Sequence, residues 1–136
     1  MRLLSVYETA QAPAMLYTLL KERTPKQSIS HRGMPTMKAH MAFYLSRPYA
    51  AWYLIVEKTE CVGAIYLTHA GEIGIQIYTM CKGNGYGPKA IKLLMKQHDR
   101  VQYLANINPA NEPSIRMFEK LGFTHIQNTY CLRRQS

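Results

Sequence analysis

A chain of 136 residues with 47% hydrophobic side chains has enough apolar surface for one buried core and too little length for two, so one domain over residues 1–136 is expected. Seventeen Lys and Arg against eight Asp and Glu give a formal charge of +9 and a pI near 9.6, a field that favours anionic partners. No apolar run approaches the roughly twenty residues of a membrane helix and no signal-peptide core is present, while Cys61, Cys81 and Cys131 form an odd set without C-x-x-C spacing. These features point to reduced thiols in a cytoplasm, and away from a membrane, a disulfide scaffold or structural zinc.

In chain order, a short strand is predicted over residues 2–6, then an amphipathic helix over 12–23 with Met15, Leu16, Leu19 and Leu20 on one face. Thr24-Pro25 ends it, and the polar residues 26–35, which include His31, read as a loop. A second helix, capped by Thr36, runs to residue 46, ahead of Arg47-Pro48. Residues 51–57 and 61–68 alternate as a β-hairpin, and a third strand follows over 72–78. A helix over 88–98, a strand over 101–106, a helix over 112–121 and a last strand over 123–132 complete the pattern. There are no internal repeats or low-complexity tracts.

The most informative stretch is Met80-Cys81-Lys82-Gly83-Asn84-Gly85-Tyr86-Gly87-Pro88, set between the strand 72–78 and the helix 88–98. Glycines at alternate positions admit positive φ and close approach of a ligand, so successive N–H groups can face one anion. Pro88 suits a first helical turn, whose dipole favours the same charge. No register gives the P-loop spacing. Gly85-Tyr86-Gly87-Pro88-Lys89-Ala90 fits G-x-G-x-x-A, but the next strand ends in Asn106-Ile107-Asn108 without the acidic residue that a dinucleotide fold places at the ribose. A plain surface turn is the simpler alternative, and the strand-loop-helix context argues against it.

The loop from Lys82 to Gly87 resembles the pyrophosphate loop of the GNAT superfamily of acetyl-CoA-dependent N-acetyltransferases, with Lys82 where Arg or Gln is usual. Asn111-Glu112-Pro113-Ser114 followed by Met117-Phe118-Glu119-Lys120-Leu121-Gly122-Phe123 is similar to that family's second signature. The resemblance is sharp over residues 72–123 and general before them; its Glu-Ile-Gly strand is most like the branch that modifies ribosomal protein N-termini, polyamines and similar amines. It implies a three-layer α/β fold, with a mixed, mostly antiparallel sheet and helices on both faces. Two parallel strands, here 72–78 and 101–106, would splay apart to admit the thioester arm.

The resemblance also implies acetyl-CoA on the backbone of Ile77, Tyr78 and Thr79, on the loop Lys82, Gly83, Asn84, Gly85, Tyr86, Gly87 and Pro88, and against Asn111 and Phe118. Asn111 is by itself explained as a helix N-cap. Lys89, Lys92 and Lys96 share a helix face and are candidates for the 3′-phosphate or for plain solvation.

An amine of pKa about 10 must lose a proton before it attacks a thioester. Glu72 is the candidate base, acting through water, and its alternative is to cap the Ala70-Gly71 turn. A backbone N–H near Ile77 or Tyr78 is the candidate oxyanion donor. Phe118 departs from the family, where Tyr often stands as the acid; Tyr78, Tyr86 and Tyr130 are the candidate replacements, with Tyr78 carried as catalytic. Acceptor contacts fall to His31, Trp52 and Glu72, with Arg32 and His40 nearby in sequence, and the five histidines show no metal spacing.

The expected function is acetyl transfer from acetyl-CoA to a primary amine, a small amine or a protein N-terminus, by direct attack and without a metal. The alternatives are acetylation of an amino group on nucleic acid, suggested by the charge, and a non-catalytic acyl-CoA sensor, suggested by Phe118. The expected chain is a monomer or homodimer.

Overall fold

The structure is a computed structural model that describes residues 1–27 and 33–134. Strands β1 (Arg2–Ser5), β2 (Ala51–Glu57), β3 (Glu60–Leu67) and β4 (Ile73–Ile77) form one antiparallel sheet in chain order. Strand alternation sends Trp52, Leu54 and Val56 to one face of β2 and Ala51 and Ile55 to the other. A bulge, where Val56 pairs with Cys61 and Ile55 with Gly63, inserts Val62 so that Cys61 and Ala64 share one face while Val62 and Ile65 share the opposite one. Both faces are therefore apolar, and each carries a pair of helices.

Helices α1 (Ala12–Lys21) and α2 (Met37–Leu45) cover the Trp52 face, where Leu16, Leu19 and Tyr44 join the buried cluster. Thr36 caps α2 by accepting from the Ala39 N–H at 3.1 Å, and the Tyr44 hydroxyl donates to the Val6 carbonyl at 2.8 Å, tying α2 to the end of β1. Helices α3 (Tyr86–Gln97) and α4 (Glu112–Lys120) cover the other face through Ile91, Leu94 and Phe118. Gly87 permits their close approach, since a Cβ there would sit 2.8 Å from the Met117 sulfur. No helix among the described residues is long and apolar enough to cross a membrane.

Two expected strands are not formed. Residues 101–106 make a single parallel bridge, Glu72 to Leu104, in which the Ile73 N–H donates to the Leu104 carbonyl at 2.8 Å and the Leu104 N–H to the Gly71 carbonyl at 2.9 Å. Past that bridge the two segments part, so the peptides after Leu104 have no ladder to join, and the Asn108 side chain turns instead to the Pro25 carbonyl at 3.2 Å. Residues 123–132 also form no strand. Phe123 packs edge-on against Phe118, but Ile126, Tyr130 and Leu132 are exposed. Local bonds replace a ladder there, with the His125 ring bonded to the Gln127 carbonyl and the Gln127 amide donating to the Thr129 hydroxyl. The helix expected over 88–98 begins two residues earlier, at Tyr86.

Candidate active site

Glu72 stands where the sheet opens. Gly71, at φ 87°, closes the turn from β3 and lets the chain reverse. The Glu72 N–H donates to the Thr68 hydroxyl oxygen at 2.9 Å, and that hydroxyl donates to the Glu72 carboxylate at 3.2 Å. The Asn106 amide donates to the other carboxylate oxygen from across the gap. The side chain is thus tied to its own turn and also held toward the opening. A carboxylate has about four acceptor positions, so two bonds leave room for an incoming ammonium or water.

The free edge of β4 continues from this point. Bonds from the Thr68 N–H to the Glu72 carbonyl and from the Tyr78 N–H to the Val62 carbonyl turn the even-numbered peptides toward β3. Alternation then directs the Ile75 and Ile77 peptide groups outward, to the edge that Leu104 has left. An extended ligand can bond there as an added strand.

The edge leads to the glycine-rich loop. Gly83 and Gly85 have φ of 84° and 73°, and a Cβ at either would meet nothing within 4 Å, so the loop is open at both glycines and left-handed where glycine is favoured. Gly85 is the N-cap of α3; no described side chain caps that end and no acidic residue lies in its first turn. Unfilled N–H groups and the helix dipole make an anion site. The Asn84 amide braces the loop on the Cys81 carbonyl at 2.9 Å, while Lys82, Lys89, Lys92 and Lys96 are exposed. Thr79 donates through its N–H and hydroxyl to Glu22 at 2.7 and 2.9 Å, anchoring the approach to α1.

A cavity of about 300 Å³ joins Glu72, Asn106 and the edge residue Ile75 to Asn111 and Phe118 on one side and to Trp52 on the other. Asn111 caps α4 by accepting from the Ser114 N–H at 3.3 Å, and Phe118 is buried. Trp52 is almost buried and meets Tyr49 edge-on at 4.9 Å. His40 is buried, with its ring bonded to the Pro13 carbonyl at 2.8 Å.

The structure separates the expected tyrosines from this centre. The Tyr78 hydroxyl donates to the Met15 carbonyl at 2.7 Å and, with Tyr86, lines a different cavity beside Cys61 and Cys81; burial pushes its pKa up to about 12. Tyr130 is exposed. His31 and Arg32 lie outside the described residues.

Two tyrosines not singled out in the sequence do line the Glu72 cavity. Tyr49 and Tyr66 stack at 4.0 Å with an interplanar angle of 6°. Tyr66 lies over Gly74, where a Cβ would fall 2.0 Å from the ring. Burial raises the pKa of both hydroxyls, Arg23 opposes it, and the Glu72 charge adds to the rise at Tyr66. The detectable signal was Gly74 itself, a glycine inside a strand opposite a tyrosine.

Residues 4–124 match the family model of the acetyltransferase (GNAT) domain. The chain belongs to that family. Solved structures with the same fold include a domain from Methanocaldococcus jannaschii, at 21% identity and TM-score 0.74, covering 89% of this chain and 87% of that one. A spermidine N-acetyltransferase chimera of Vibrio cholerae SpeG and hSSAT aligns at 13% identity and TM-score 0.73, over 93% and 84% of the two chains. The Salmonella typhimurium protein yncA, solved with its cofactor acetyl-CoA, aligns at 18% identity and TM-score 0.65, over 90% and 78%. No curated protein matches the chain.

Proposed function

We propose that this protein moves an acetyl group from acetyl-CoA to a primary amine by direct attack, with residues 1–136 acting as one catalytic domain. The observation that carries the reading is the position of Glu72. Its carboxylate is held by Thr68 and Asn106 at the mouth of a cleft that continues along the open edge of β4. The acetyl-CoA complex of yncA and the spermidine acetyltransferase among the fold relatives support donor and acceptor chemistry of this kind.

Acetyl-CoA supplies an activated thioester. The residues present fit it: the α3 N-terminus and the peptides of Gly83 to Gly87 would receive the pyrophosphate, and the Ile75 and Ile77 peptides the amide-bearing arm. Asn111 and Phe118 would flank that arm. Glu72 takes the proton from the incoming ammonium, directly or through one water, and an outward N–H of β4 stabilises the oxyanion. Phe118 donates no proton; a thiol of pKa about 8.5 is an adequate leaving group without one.

The same absence of a hydroxyl at Phe118 motivates a non-catalytic acyl-CoA sensor as the second reading. Incubation of the protein with labelled acetyl-CoA and a cell extract separates the two. Label in a small-molecule amine or protein fraction is expected. Nuclease-sensitive label would move the acceptor to nucleic acid, and bound acetyl-CoA with no label in any fraction would leave the sensor.

A further inference from the structure

The acceptor side of the cavity differs in chemistry from its donor side. Its walls are aromatic: the stacked pair Tyr49 and Tyr66, the edge of Trp52 against Tyr49, and Phe43 against both Tyr49 and Trp52 at 5.8 and 6.0 Å. Phe43 remains 46% exposed although it borders this cluster, so apolar surface is left uncovered inside the opening. The charged side chains that line the cavity among the described residues are Glu72 and Arg23. Glu72 is engaged by Thr68 and Asn106, whereas Arg23 has no carboxylate partner among the described residues. Both charges act on Tyr66, and Arg23 also acts on Tyr49. One cavity is therefore lined by a carboxylate, an aromatic surface and a guanidinium.

We infer that the acceptor is a primary amine carried on an aromatic or apolar body that also bears one anionic group, the amine meeting Glu72 and the anion meeting Arg23. The inference rests on the transferase reading and narrows its substrate. An extended polyamine fits this cavity poorly. Its first ammonium would find Glu72, but its further ammonium groups would share a cavity whose other charged lining side chain among the described residues is Arg23, where like charges repel. A flat body instead covers the rings in offset or edge contact, and a carboxylate or phosphate gives Arg23 a paired, fork-shaped contact. The Tyr66 hydroxyl, like any tyrosine of pKa about 10, is protonated at neutral pH, so it serves as a donor to polar substituents of that body.

Trp52 is the single tryptophan of the chain and lines the cavity, so its fluorescence reports occupancy without any turnover. Three probes decide the matter: 4-(2-aminoethyl)benzoate, phenethylamine without the anion, and spermidine. Each is titrated by Trp52 fluorescence and then assayed as an acceptor with labelled acetyl-CoA. The benzoate is expected to bind about tenfold or more tightly than phenethylamine, the scale of a charge-assisted hydrogen bond. Arg23→Gln should erase that difference; Arg23 is exposed, so the core is untouched. Spermidine should bind weakest. Spermidine binding as tightly as the benzoate, or an unchanged preference in Arg23→Gln, would overturn the inference, as would silence from all three probes. Transfer to spermidine without a response to the benzoate would reject this acceptor class and leave the transferase standing. Benzoate binding that needs Arg23 but yields no transfer would keep the slot and reject the transferase.

Discussion

The two ends of the cleft are built differently. The end proposed for the donor is made of backbone: positive-φ glycines, a helix terminus that no described side chain caps and the outward peptides of a strand edge. The end proposed for the acceptor is made of side chains from α1, α2, β2, β3 and the segment before β2, brought together by the sheet and helices. A phosphate can be held by N–H groups whatever side chains surround them, so its site leaves a short local motif. An acceptor is read by shape and charge, so its site is dispersed. Glu72 lies where the two meet.

Changes at each end should therefore have separable effects. Below the loss expected at Glu72 itself, the largest change is expected from Gly85→Val, which places a β-branched residue at φ 73°. Left-handed strain of about 1–2 kcal/mol would weaken acetyl-CoA binding by roughly five- to thirtyfold if the loop shifts to relieve it; a calorimetric Kd checks this, and the acceptor KM should hold. Gly74→Ala comes next. Its Cβ would collide with the Tyr66 ring, and displacing that ring should raise the acceptor KM about tenfold, from overpacking of about 1–3 kcal/mol, while acetyl-CoA affinity stays the same. A matched loss at both ends would break the distinction. The smallest effect is expected away from the cleft. Tyr78→Phe removes the bond to the Met15 carbonyl and should cost about 0.5–1.5 kcal/mol in denaturant unfolding. The raised pKa of Tyr78 also sets a sign: its contribution is complete below the unfolded value of about 10 and is lost as pH rises toward about 12. Wild type should thus lose stability across that window more steeply than Tyr78→Phe.

The conformation of the glycine-rich loop was legible in the sequence because the spacing of Gly83, Gly85 and Gly87 is itself the structure. The helices and the first four strands followed from periodicity and caps, Thr36 and Asn111 among them. Residues 101–106 and 123–132 carry strand-like side chains, but a strand also needs a partner, and among the described residues neither segment has one beyond the Leu104 bridge. Tyr49 and Tyr66 were hidden among ten tyrosines, since nothing local distinguishes a cavity wall from a core residue. Only the register that sets Gly74 against Tyr66 makes that wall visible.

The most direct test of the account is kcat for Glu72→Gln at saturating acetyl-CoA and amine, measured beside its acetyl-CoA Kd. The account predicts a loss of about 10²- to 10⁴-fold, the range of a general base, with the Kd unchanged because the donor end is built by other residues. An unchanged kcat would contradict it, and so would a loss explained entirely by failure to bind acetyl-CoA.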